Sequence, residues 1–194
     1  MNLKDKRSRK IVVLAHCLLN QNSKVFGIAI APGAIPEIVE FLLKHEIGIL
    51  QMPCPEMMYW GIRRWGMVRE QYNVPFFREF CKRIAKEIVF QISDYVKNGY
   101  KVLAIVGADG SPVCGVNWTN EEIGSRWGGF LEEEILRRKP PKQKFVRGEG
   151  IFIEILRREL DANNIKIPFL AYPEFSELGS ISELVNKLKE LLEA

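Results

Sequence analysis

Residues 10–24 read Lys-Ile-Val-Val-Leu-Ala-His-Cys-Leu-Leu-Asn-Gln-Asn-Ser-Lys, and whether this stretch is a targeting segment or a buried strand decides the rest. A basic tail over residues 1–10, with Lys4, Lys6, Arg7, Arg9 and Lys10, precedes the apolar run Ile11 to Leu19, so together they copy the outline of a signal peptide. The run, however, opens with β-branched residues, contains His16 and Cys17, and passes into Asn20 to Lys24 without a small-residue cleavage site. It therefore reads as a buried first strand over Ile11 to Leu18. No apolar stretch approaches the ~20 residues needed to cross a bilayer, so no membrane partner is expected and the protein is read as cytoplasmic.

Working outward, Gly48 to Met52, Lys101 to Val106 and Lys166 to Leu170 are runs of the same kind, as expected of parallel strands covered on both faces. Helical patterns separate them. Ile35 to His45 has Pro36 in its first turn, and Phe76 to Lys97 carries Phe77, Phe80, Ile84, Ile88 and Ile92 at spacings of three and four before Asn98-Gly99 stops it. Ile151 to Leu160 repeats the pattern, and a last helix opens with Ser180 and Glu183 at capping-box spacing. The order βαβαβαβα predicts a single α/β domain over residues 1–194: three layers, doubly wound, around a mainly parallel sheet of about four strands. At 194 residues, with 47% hydrophobic and 27% charged, the chain excludes disorder and collagen-like repeats. It should bury roughly 70% of its unfolded surface and so needs no disulfide or structural metal. A metal would serve chemistry instead. The balance of 28 Lys and Arg against 24 Asp and Glu, net +4, only mildly favours anionic partners.

Two connections are long for such a fold, Pro53 to Pro75 and Asp109 to Gly148, the second read as a lid-like insertion over 109–148 with a short helix from Phe130 to Arg138 ahead of Pro140-Pro141. Both follow strands and so lie at the carboxyl edge of the sheet, where open α/β folds bind ligands. Three of the four cysteines share that address: Cys17 at the end of the first strand, Cys54 in Pro53-Cys54-Pro55-Glu56 and Cys114 in Ser111-Pro112-Val113-Cys114-Gly115. They lie too far apart in sequence for any local zinc-ribbon or ferredoxin run, so their site would be assembled by the fold. Cys81 falls on the apolar face of the long helix and reads as core. Thiolates suit zinc, copper(I) and iron-sulfur clusters. Zinc would need a fourth ligand, for which His16 and His45 are poorly placed, whereas a 4Fe-4S cluster on three thiolates leaves one iron open to a substrate. A disulfide would leave one of the three thiols unpaired.

Cys17-Leu18-Leu19 after a strand, Cys54-Pro55-Glu56 after a second, and Ser111-Pro112-x-Cys114-Gly115 after Gly107-Ala108-Asp109 resemble the thiouracil desulfidases and their relatives, a group formerly of unknown function. The similarity spans roughly Ile11 to Gly115. It implies a Rossmann-like domain with a 4Fe-4S cluster on Cys17, Cys54 and Cys114, whose free iron takes sulfur from a thiolated nucleobase that leaves as hydrogen sulfide. The chain departs from the family pattern after Cys-Leu-Leu, where it reads Asn20 to Gly27 in place of Gly and then Cys-Arg-Tyr-Asp-Gly. After Cys54-Pro55-Glu56 it has Trp60, Arg63, Arg64 and Trp65 in place of Gly-Leu-Pro-x-Pro-Arg-Pro. Retained ligands with an altered pocket point to a divergent branch and a sulfur compound other than thiouracil.

Replacing carbon-bound sulfur by oxygen needs an activated water and a proton donor. Glu56 is the candidate base and Ser111 the candidate hydrogen-bond donor, although the first could equally cap a helix and the second shape a turn. Asp109, Trp60, Arg63 and Arg64 are candidate substrate contacts, the rings and guanidinium groups being able to stack a base and pair with an anion, while Asp109 also fits a turn and the loop a solvated surface. Two other functions compete with a desulfidase acting on a small thiolated molecule. One is a non-catalytic metal-cluster module; the other is an RNA-binding module using the Arg/Trp loop and the basic stretch Arg137 to Arg147. Nothing in the sequence carries a dinucleotide or Walker-type fingerprint.

Overall fold

The β-branched run after the basic tail forms strand β1, Lys10–Ala15, buried from Ile11 onward, in a computed structural model that describes residues 5–122 and 143–193. Strands β2 (Gly48–Met52), β3 (Lys101–Asp109) and β6 (Phe169–Pro173) join it in one four-stranded sheet of order β2-β1-β3-β6, every pairing parallel. Burial on both faces explains why β1 and β3 are continuous apolar runs rather than alternating ones. The chain is thus a mixed α/β protein, with four parallel strands as expected.

The boundaries moved for identifiable reasons. The first strand stops at Ala15, because the carbonyls of His16, Cys17 and Leu18 turn to accept from Asn20 N, Gln21 Nε2 and Ile35 N, and Cys17 consequently rides a single helical turn, α1 (His16–Leu19). Strand β3 runs three residues past Val106, since Gly107, Ala108 and Asp109 pair with Ala171, Tyr172 and Pro173. That register also shifts β6 three residues beyond the expected Lys166 to Leu170.

Helices α2 (Pro36–Lys44), α5 (Pro75–Lys97), α6 (Ile151–Ala162) and α7 (Ile181–Glu193) match the periodic segments. Helix α5 buries Phe77, Cys81, Ile84, Ile88 and Ile92 and packs on α6, while α2 packs on α7. Cys81 is fully buried there, and Ser180 Oγ accepts from Glu183 N at 3.3 Å, which is the cap the sequence foreshadows. Both long connections carry structure. The first holds the short helices α3 (Pro55–Trp60) and α4 (Arg69–Tyr72); the second holds an antiparallel pair, β4 (Trp118–Glu122) and β5 (Gln143–Arg147). The helix expected from Phe130 to Arg138 lies outside the described residues. Among the described residues no helix is long and apolar enough to cross a membrane.

Candidate functional site

In the order β2-β1-β3-β6 the chain leaves β1 toward one side and returns for β3 on the other. The crevice outside the carboxyl ends at such a reversal is where open α/β sheets bind ligands. Each strand end supplies one chemically distinctive residue: Cys54 after β2, Cys17 one turn after β1, Cys114 after β3 and Glu174 directly after β6. All four line one cavity of about 150 Å³.

The Cys114 loop is the most constrained part. Asp109, at the end of β3, accepts from the backbone amides of Val116 (2.8 Å), Asn117 (2.8 Å) and Trp118 (3.2 Å) and from Asn117 Nδ2 (3.1 Å). Its carboxylate is committed to folding the loop and it does not line the cavity, so the substrate contact expected of it gives way to the turn role. Ser111 Oγ accepts from Val113 N and Cys114 N at 3.2 and 3.0 Å, and Ser111 lines the cavity. The loop is clamped from both sides by residues without side chains. A Cβ on Gly107 would meet Cys114 O at 2.4 Å, and one on Gly150 would meet Val113 C at 2.4 Å and Cys114 N at 2.8 Å. The first amides of α6 close the clamp, Ile151 N donating to Pro112 O and Phe152 N to Val113 O.

Cys54 precedes α3, and its Sγ accepts from Met57 N at 3.4 Å. Glu56 lies in the first turn of that helix, and its Oε2 receives Arg64 Nε at 3.1 Å. Arg64 also donates to Ser23 O at 2.8 Å and to Gly61 O at 3.4 Å, so this guanidinium is a buried strut rather than a free substrate clamp. Tyr72, its hydroxyl buried, stands by Glu56, and burial and then the charge of Glu56 hold its phenol proton on. Across the cavity Lys24 Nζ meets Glu174 Oε1 at 2.7 Å.

Burial and mutual proximity set the protonation of the thiols. Burial, and then the charge of Glu56, pushes Cys54 up to about 11, against the opposing pull of the Met57 amide and Arg64. Cys17 is raised further, by burial and then by Glu174, with Lys24 opposing. Burial raises Cys114 as well, followed by the other two cysteines themselves. Three adjacent thiols are therefore protonated at neutral pH unless a cation joins them. Among the described residues no three His, Cys, Asp or Glu side chains stand close enough to share one metal ion. The thiols line a common cavity without forming a single-ion chelate.

The structure thus brings Cys17, Cys54, Cys114, Glu56, Ser111 and Arg64 together. Arg63, exposed, lies instead in an adjoining open cleft with Phe26, Ile62 and Trp65, a cleft that shares Lys24, Val25 and Arg64 with the cavity. Trp60 lines neither and packs on Tyr59. Arg69 ties the first long loop to α6 through Glu149 O and Glu154, both at 2.9 Å. His16 pairs with Gln51, and His45 Nδ1 lies 2.8 Å from Phe41 O. Sequence reading missed Lys24, Glu174 and Asn120, which also line the cavity; the signal for Glu174 was its place directly after the fourth strand.

Residues 9–128 match the model of the family described as "Putative 2-thiouracil desulfurase". The chain belongs to that family. It is also 32% identical over 168 residues, 87% of this chain and 88% of the relative, to the uncharacterized protein MJ0003 of Methanocaldococcus jannaschii. Among solved structures, the 4Fe-4S-dependent thiouracil desulfidase TudS aligns over 93% of this chain and 99% of its own, at 18% identity and a TM-score of 0.48, a likeness too loose to carry chemistry across. The thiouracil desulfidase resemblance drawn from the strand-end motifs is thereby upheld at the level of family.

Proposed function

We propose that the chain is a desulfidase that uses a 4Fe-4S cluster held by Cys17, Cys54 and Cys114 to remove sulfur from a small thiolated, nucleobase-like compound, releasing hydrogen sulfide. The observation that carries this reading is the convergence of three soft thiols, each from a different strand end, on one cavity that also holds a carboxylate. The donor set fits the group: thiolates are the ligands iron-sulfur clusters take, and a cluster bonds them to separate irons, which asks for a common cavity rather than one point of convergence. The upward pKa shifts fit as well, since buried neighbouring thiols ionise only against a positive centre. The same reading takes the fold as a Rossmann-like three-layer domain and places the protein in the cytoplasm, where thiols stay reduced.

When bound, a three-thiolate cluster supplies a thiophilic, Lewis-acidic iron without a protein ligand. The chain's own residues do the rest. Glu56, oriented through Arg64 Nε, accepts a proton from water beside Cys54. Ser111, its oxygen already accepting from two amides, uses its hydroxyl proton to hydrogen-bond the reacting oxygen or sulfur. The net change exchanges a thiocarbonyl sulfur for the oxygen of water, both hydrogens of the water departing as hydrogen sulfide, with no gain or loss of electrons.

The test is anaerobic reconstitution with iron and sulfide, followed by iron analysis, visible and electron paramagnetic resonance spectra, and sulfide release from thiolated pyrimidines. Cys17→Ala, Cys54→Ala and Cys114→Ala should each abolish cluster and turnover. A cluster that survives Cys54→Ala refutes the ligand set, and a loaded protein that releases no sulfide from any such substrate refutes the desulfidase.

A further inference from the structure

Beyond the thiols and the Glu56–Arg64 pair, the cavity is lined by polar groups to which the desulfidase reading gives no task. The side chains of Lys24 and Glu174 are only 5% and 8% exposed, although their ion pair faces the cavity rather than the packed core. Burying such a pair is costly unless its remaining protons and lone pairs are also used. Among the described residues the Lys24 ammonium has no acceptor besides Glu174 Oε1, and Glu174 Oε2 receives no donor. Asn120 is a second, independent observation. It is buried on β4 and lines the same cavity. Its Nδ2 donates to Met67 O at 3.4 Å and to Gln143 Oε1 at 2.9 Å, two acceptors that fix which way the amide faces. The atom left over, Oδ1, is buried with no partner among the described residues. Buried acceptors without a donor are rare in folded proteins, and one on a residue that lines a cavity points to a ligand that brings the donor.

We propose that Lys24, Glu174 and Asn120 form a polar rim that holds the substrate's ring by an edge of alternating carbonyl and N–H groups. Lys24 donates to the carbonyl oxygen, while Glu174 and Asn120 accept from ring N–H. The inference rests on the desulfidase reading and assigns recognition of the ring's edge to these three residues. Open-chain thiols and fully N-alkylated rings lack that edge.

Uracil is the probe, because it carries this edge without sulfur and binds without turning over. Calorimetric titration of iron-loaded and iron-free protein with uracil and with 1,3-dimethyluracil, which lacks both N–H groups, is run on wild type, Glu174→Gln and Lys24→Met. Uracil should bind wild type at least about 10-fold more tightly than the dimethyl ring, and each substitution should weaken uracil about 10- to 100-fold while iron content and the visible spectrum stay at wild-type levels. Equal binding of the two rings, no binding of uracil in either form, or variants that bind uracil like wild type would overturn the proposal. So would loss of iron in both variants, which would make the pair a support of the thiols. Failure of the wild type to take up iron defeats the desulfidase reading instead, and the iron-free titration still decides the rim.

Discussion

Gly150 clamps the Cys114 loop from outside it, and replacing it with alanine tests whether that loop positions a ligand. In Gly150→Ala the new methyl would stand 2.4 Å from Val113 C, 2.6 Å from Val113 O and 2.8 Å from Cys114 N. All three are backbone atoms, so no rotamer change relieves the clash, and opening the closest contact to ordinary van der Waals distance moves the Val113–Cys114 peptide by about 1 Å. That movement strains or breaks the bonds from Phe152 N to Val113 O (2.9 Å), Ala108 N to Cys114 O (2.7 Å) and Gly150 N to Gly115 O (2.9 Å). At about 1 kcal/mol net each, with about 1 to 3 kcal/mol for overpacking, the loss should be about 4 to 6 kcal/mol. Urea denaturation of the metal-free protein measures it. Iron uptake per folded chain measures the displaced thiol and should fall well below wild type. Gly33→Ala, where a methyl meets nothing within 4 Å, is the control and should stay within about 0.5 kcal/mol. Wild-type stability with full iron loading in Gly150→Ala would refute the clamp.

Asp109→Ala strips the acceptor from three backbone amides and one side-chain amide, two of those amides being at 2.8 Å, and should cost about 3 to 5 kcal/mol by thermal or urea unfolding, with Asp109→Asn recovering part of it. Cys81→Ala, fully inside the core and not in the cavity, should lower stability by about 1 kcal/mol yet leave iron content unchanged; loss of iron would contradict its exclusion from the ligand set. The metal-free protein should lose stability in alkali. Cys54 titrates near 11 when folded and near 9 when unfolded, so the folded state holds the proton longer. Stability from this group is complete below pH 9 and falls by about 3 kcal/mol as pH rises through 11. Cys54→Ala should flatten that part of the curve, and an unchanged pH profile would show that the thiol is not buried as described.

The parallel strands were legible because each is a short apolar run bounded by turn residues, and the cysteines because parallel strands bring their carboxyl ends to one edge whatever the strand order. That argument needs no coordinates, and it places Cys17, Cys54 and Cys114 together even though the end of β1 was misjudged by three residues. The antiparallel pair β4–β5 was not legible: Trp118-Thr-Asn-Glu-Glu has one aromatic and no apolar alternation, and its first residue is tied by Trp118 N to Asp109. Asn120 was lost with it. Lys24 and Glu174 were missed for a different reason. A lone lysine in a loop and a lone glutamate after a strand carry no motif, and only the fold, by setting the loop after α1 across from the end of β6, turns them into a buried pair.

Burial is the first reason the thiols are so hard to ionise, and the carboxylates of the two buried ion pairs add to it. Glu56 opposes a thiolate at Cys54 and Glu174 opposes one at Cys17, while Arg64 and Lys24 offset each carboxylate without leaving surplus positive charge. A site built to activate a free cysteine as a nucleophile would show the reverse, an uncompensated cation beside the sulfur and a depressed pKa. Here the positive charge that three thiolates require has to arrive with whatever they bind. The protein's own cations stay committed to holding two carboxylates in place, one beside Cys54 and the other beside Cys17. That division of labour keeps Glu56 and Glu174 available as acceptors in a cavity whose remaining chemistry is soft sulfur.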